Sequence, residues 1–273
     1  MTTPTRTDHR VEVTAPPVTP YQYGLLSVAL LPDPPALPWT QVGLRYVSDA
    51  CAQGQVGEMP CPRPATPAEK RMDEGETWVN SGDPFPVIAS FVCGTVGMDE
   101  ARARTHVLNG LAYAEQREIE KQFAVTMLKD IARKPAGDGA VGLLQGLGVL
   151  EQDAASVYGG QPTIHVPRWL QPYFSTLRLI RDQGAKKVSD LGSPVGFGNY
   201  PDDPAKPGVI GTGEAWIFAT GTVRAWRTGP GEPLVTVDVT HNQISALSER
   251  VYALDHDCYA AAVKVQVCTG GAA

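Results

Sequence analysis

The chain has 273 residues, of which 42% are hydrophobic and 19% charged, with a formal net charge of −6 at pH 7. That size allows one large domain or two small ones with a sizeable core, and the apolar share excludes a disordered polymer. The negative balance excludes an overall basic footprint for clamping nucleic acid. No stretch approaches the 18 or so apolar residues of a transmembrane helix, so no membrane partner is expected. Five cysteines (Cys51, Cys61, Cys93, Cys258, Cys268) form no C-x-x-C pair, and the first residues carry no apolar core. The expectation is synthesis in a reducing cytoplasm with free thiols.

Residues 1–20 are polar and dotted with Pro4, Pro16, Pro17 and Pro20, which reads as an extended arm. Tyr23 to Leu31 is a short apolar run, and the prolines of 32–38 then forbid regular structure. Trp39 to Val47 alternates as a strand would. From Ala50 to Gly82 the chain is irregular, with a charged middle and Trp78 near its end. Loops this long are uncommon inside compact domains and are often functional. Phe85 to Cys93 reads as a strand, and Asp99 supplies a helix N-cap.

Asp99 to Lys134 reads as one helix about 50 Å long at 1.5 Å per residue. Its apolar stripe is expected at Leu108, Leu111, Ala112, Ile119, Phe123, Met127 and Ile131, interrupted by Glu115, with Glu118 and Glu120 on a solvated face. Lys134–Pro135 ends it. Val141 to Val157 reads as a glycine-loosened helix, Thr163 to Val166 as a short strand, and Pro167 to Ile180 as a helix anchored by Trp169, Tyr173 and Phe174. Residues 184–200 are turn-rich and 201–213 a linker. Three strand regions follow: Glu214 to Arg227, broken at Gly221–Thr222; Leu234 to Val239; and Glu249 to Val267, broken near Asp255–Asp257. Strand, long helix, smaller helices, then strands is an α+β order.

No catalytic pattern emerges. The glycine clusters Gly208/Gly211/Gly213 and Gly192/Gly196/Gly198 lack a P-loop lysine, and the first precedes a strand where a dinucleotide loop would follow one. The histidines His9, His106, His165, His241 and His256 never pair at zinc spacing. Strand alternation puts His256 and Cys258 on one face and Asp255 and Asp257 on the other, which splits the densest ligand cluster. Cys93 with His106 is a conceivable thiol–imidazole pair, but Cys93 sits in an apolar strand. Glu118 and Glu120 face different sides of a helix. No catalytic residue, metal or cofactor is expected.

Several segments together resemble the major capsid proteins of tailed bacteriophages with the Hong Kong 97-type fold, particularly those of actinobacterial phages. They are the proline-rich arm, the excursion ending in W-x-N-S-x-D-P-F (Trp78–Phe85), the strand leading into a spine helix, Pro162–Leu170, Leu191–Pro201, and the C-terminal run His241–Val265 with its N-Q-x-x-A-x-x-E-R-V signature. The resemblance implies an N-terminal arm over 1–35 and an extended E-loop region over 36–85. It implies a peripheral domain of 86–135 and 241–273 holding the spine helix, and an axial domain of 136–240. It further implies a non-enzymatic protein in a virion capsid assembled in the host cytoplasm, partnered by copies of itself as hexamers and pentamers. Scaffolding, portal and decoration proteins and non-specifically contacted double-stranded DNA complete the expected partners. The aromatics Tyr21, Tyr23, Trp39, Trp78, Phe85 and Trp169 are candidate subunit-interface residues. An encapsulin-type shell, another head component such as a pentamer or decoration subunit, and a small enzyme remain alternatives.

Overall fold

Two β-sheets meet along one long helix. The computed structural model describes residues 19, 21–35, 38–51, 78–206 and 208–267, with Trp78 and Val79 described by backbone alone. The expected arm before residue 19 and the charged middle of the excursion, 52–77, lie outside the described residues, as do Cys61 and Cys268.

The elements in chain order are the short helices α1 (Leu25–Val28) and α2 (Trp39–Val42), strands β1 (Leu44–Ser48), β2 (Trp78–Gly82) and β3 (Pro84–Gly94), and the spine helix α3 (Glu100–Phe123), which continues as a π-helical turn over Ala124–Leu128. Then come β4 (Val141–Gly142), α4 (Leu143–Val157), β5 (Thr163–Pro167), a 3-10 turn (Arg168–Leu170) and α5 (Gln171–Thr176). Strands β6 (Ile180–Gln183), β7 (Lys186–Ser189), β8 (Pro194–Gly198), β9 (Glu214–Thr220), β10 (Val223–Arg227), β11 (Leu234–Asp238), β12 (Gln243–His256) and β13 (Ala260–Gln266) complete the fold.

The first sheet is built on β12. Its Gln243–Ala253 stretch pairs with the whole of β3, and on the other side it pairs with β11 and then β10, all antiparallel. Alternation gives it two faces. Val87, Phe91, Cys93, Ile244 and Ala246 turn toward α3, while Ile88, Val92 and Leu234 point the other way and are 52%, 60% and 67% exposed. The second sheet has the order β4-β13-β9-β5-β8-β7-β6. Leu147, Leu150 and Ala154 of α4 cover one of its faces over Ile164, Ile217 and Val263. Phe123, Ala124 and Leu128 cover the other beside Phe218 and Ala262. The sheet pairings cross the 240/241 boundary expected between peripheral and axial domains. Strand β13 joins the larger sheet, and β10 and β11 join β12.

The spine helix departs from its sequence reading in three ways. It begins as expected, with the Asp99 carboxylate accepting from the Arg102 amide at 2.8 Å. It ends at Leu128 rather than Lys134, because the π turn and the bends after it leave no helix for Pro135 to stop. Its buried line is Ala103, Val107, Leu111, Ile119 and Phe123, at steps of four or eight. A step of four overshoots a turn by about 40°, so this line winds around the helix as it passes from one sheet to the other. Leu108 and Ala112, expected on a straight stripe, are exposed. The wider π turn then carries Leu128 into the core and leaves Met127 and Ile131 half-buried.

Smaller corrections have local causes. Trp39–Val42 is a helical turn closed by Gly43 in the left-handed region (φ 79°), and the strand starts only at Leu44. Residues 184–200 contain β7 and β8 beside β6. These strands are four or five residues long. Charged residues interrupt β6 and β7, and β8 is buried but carries Pro194, Gly196 and Gly198, so turn residues dominate the pattern. The helix expected over Pro167–Ile180 is shorter, since Pro167 closes β5 and Ile180 opens β6.

Candidate subunit interface

Glu120, expected in solvent, is 0% exposed. It lies on the flank of α3 that receives the N-terminal segment. Its carboxylate accepts from the Leu25 amide at 2.9 Å, the Asn199 amide at 2.6 Å, the Tyr21 hydroxyl at 2.5 Å and the Gln116 side-chain amide at 3.2 Å. Burial raises its pKa above the ordinary carboxylate value, and these donors offset part of that rise. One side chain thus joins the spine helix, the segment before α1 and the end of β8. Gly24 belongs to this joint, because a Cβ there would sit 2.1 Å from Glu120 Oε1. Glu115, a second acid on the winding line, pairs with Arg250 at 2.6 Å and accepts from the Tyr252 hydroxyl.

Five of the six candidate aromatics have described side chains. The Tyr21 ring lies under the Arg168 guanidinium, 4.7 Å from its centroid, and Lys187 stands over the Tyr23 ring. Trp39 is 5% exposed and packs with Trp226 and Ala253 inside its own subunit, so it offers little surface to a neighbour. Phe85 stacks on Tyr252 and lines a cleft of about 730 Å³ together with Met127, Asp255 and His256. The half-buried Trp169 donates its indole N–H to Asp202 at 2.6 Å. Trp78 lies in β2, paired with Ser48.

The base of the excursion is cross-linked. Cys51 and Cys258 form a disulfide across 207 residues, with Cα atoms 6.1 Å apart. This corrects the expectation of free thiols for these two residues, while Cys93 is free. No sequence spacing signals the bond, since only the tertiary fold brings residue 51, next to Ala50 on the Gly159 amide, to the link between β12 and β13. Beside it, Asp257 pairs with Arg224 at 2.7 Å, and burial pushes Asp255, 7% exposed, up to about 6. A carboxyl raised in the folded state is uncharged in both states below about pH 4. It loses stability as pH rises to about 6, because the unfolded chain ionises first. Replacing Asp255 by Asn removes that loss. Denaturant melts of D255N should therefore show a gain of about 1–3 kcal/mol over wild type at pH 7, vanishing at pH 4.

The residues considered for chemistry are not brought together as a site. The His106 ring stacks on Phe91 at 4.9 Å, while Cys93 packs with Ala103, Val107 and Ile244. His165 is wholly buried, bonded to the Thr220 hydroxyl at 2.8 Å, and desolvation lowers its pKa to about 3. Among the described residues no group of three or more His, Cys, Asp or Glu is arranged to hold a metal ion, and no helix is long and apolar enough to cross a membrane.

No protein-family model matches the chain, and no curated protein matches it in sequence. Solved structures do. The capsid of an empty GTA particle matches with a TM-score of 0.59 at 12% identity, covering 95% of both chains. The SrpI encapsulin of Synechococcus elongatus PCC 7942 matches with 0.54 at 12% identity over 96% of this chain and 95% of that one. A chain from Mycobacterium phage Ogopogo matches with 0.51 at 13% identity over 94% and 96%. With a spine helix between two sheets and coverage from end to end, this chain has the Hong Kong 97-type capsid fold.

Proposed function

We propose that this chain is a shell subunit, the major capsid protein of a tailed-bacteriophage head, which assembles with copies of itself as hexamers and pentamers around double-stranded DNA. The observation that carries this reading is the end-to-end match to a GTA capsid subunit, 95% of each chain at a TM-score of 0.59. Surface chemistry supports it. The sheet face opposite α3 leaves Ile88, Val92 and Leu234 more than half exposed, and a neighbouring copy would bury them. The role is structural rather than enzymatic, and the protein resides in the virion capsid after assembly in the host cytoplasm. In this reading residues 1–35 are the arm, 36–85 the E-loop region, 86–135 with 241–273 the peripheral domain and 136–240 the axial domain. Tyr21, Tyr23, Phe85, Trp78 and Trp169 lie where neighbours meet. Scaffolding, portal and decoration proteins are further candidate partners in this reading.

The purified chain should sediment as large closed particles visible by negative-stain microscopy. A stable monomer at high concentration would overturn the reading. The encapsulin match supports a second reading, a shell around protein cargo. Particles from the native source decide between them. Nuclease-protected DNA supports the phage head, and an enclosed protein supports the nanocompartment.

A further inference from the structure

The glycine cluster Gly208/Gly211/Gly213, which carries no phosphate-loop chemistry, flanks an exposed apolar tip instead. Gly208 and Gly211 sit in the left-handed region at φ 98° and 77°, and between them Val209 and Ile210 stand 44% and 59% exposed. The loop is pinned from beneath by Asp202, 3% exposed. Its carboxylate accepts from the Thr212 amide at 3.0 Å, the Thr212 hydroxyl at 2.9 Å and the Trp169 indole at 2.6 Å. Two aliphatic side chains thus stand exposed on a loop whose Thr212 end is anchored to Asp202.

The same chain carries a matching recess. Beside α4 lies a mainly apolar groove of about 330 Å³. Leu147 and Leu179 form its floor, and Leu144 and Leu191 stand at its rim, 65% and 73% exposed. The acidic residues Asp190 and Glu151 also line it, and Lys206 is exposed next to the tip. Val209 and Ile210 are not among the residues that line the groove, and both stand exposed. A copy therefore does not fill its own groove, and seating the tip of one copy in the groove of another is a head-to-tail contact, which closes a ring when the rotation between copies closes.

Resting on the shell-subunit reading, we propose that Val209 and Ile210 of one copy seat in the α4 groove of a second copy, with Lys206 facing Asp190. Gly148 offers a clean test. It lines the groove, and a Cβ added there meets nothing within 4 Å, so Gly148→Leu fills the recess without disturbing its own fold. Gly148→Leu and Ile210→Asp should each cut the assembled fraction at least tenfold in sedimentation while the monomer melts no lower than wild type. Lys206→Glu should weaken assembly, and adding Asp190→Lys should restore it. Mixing Ile210→Cys chains with Gly148→Cys chains should give a disulfide-linked dimer that neither chain gives alone. Normal particles from Gly148→Leu, with no such dimer in the mixture, would overturn this contact and leave the shell reading intact. A wild-type chain that never assembles would overturn the shell reading itself.

Discussion

Replacing Glu120 by Leu should destabilise the subunit by about 3 kcal/mol and free the segment from Tyr21 to Val28 from the spine helix. The leucine fills a similar volume but accepts nothing. The Leu25 and Asn199 amides and the Tyr21 hydroxyl then lose their acceptor inside the protein, each at about 1–3 kcal/mol. Relief from burying a carboxylate offsets part of the loss. For a chain of this size the melting temperature should fall by about 6–12 °C. Limited proteolysis should cut near residues 21–28 much faster than in wild type. Glu120→Gln should cost less, because its amide oxygen still accepts. The pKa of Glu120 is raised in the folded state, so the advantage of wild type over Glu120→Gln should shrink as pH rises from the ordinary carboxylate range toward that raised value, because the unfolded chain ionises first. An E120L protein that melts with wild type and resists protease would show that the joint contributes nothing.

Reducing the Cys51–Cys258 bond should have an effect of similar size. A cross-link spanning 207 residues restricts the unfolded chain by on the order of 3–5 kcal/mol. Denaturation midpoints should drop on adding a thiol reductant, and Cys51→Ser should show the reduced midpoint with no further response. The loss should also be local. Residue 51 is the last described position before the 52–77 stretch, and beside it the Ala50 carbonyl accepts from the Gly159 amide at 2.7 Å while its own amide donates to the Ser48 hydroxyl at 3.4 Å. Proteolytic cutting just after residue 51 should therefore rise first. Equal melts with and without reductant, with both thiols open to maleimide in the folded protein, would refute the prediction.

Local patterns in the sequence located β3, the Asp99 cap, α4, β5 and the breaks at Gly221–Thr222 and Asp255–Asp257, because alternation, capping and glycine act over a few residues. They misplaced whatever depended on a partner far along the chain. Glu120 reads as a surface acid on a charged helix, and its donors come from residues 95, 99 and 79 positions away. The straight stripe through Leu108 and Ala112 failed because α3 touches two sheets in succession and its contact line turns to follow them. The groove beside α4 has no sequence signal, since Leu179 reads as part of a helix and Leu191 as part of a turn-rich stretch, and only the pairing of β6, β7 and β8 brings them beside α4.

The sequence by itself determined the class of the fold and the resemblance to capsid subunits, because element order and short motifs survive in one dimension. Only the tertiary structure decided which acid is buried, which cysteines join, and that one surface carries both an apolar tip and a separate apolar recess. Those outcomes depend on distances between residues that the chain keeps far apart until the strands pair.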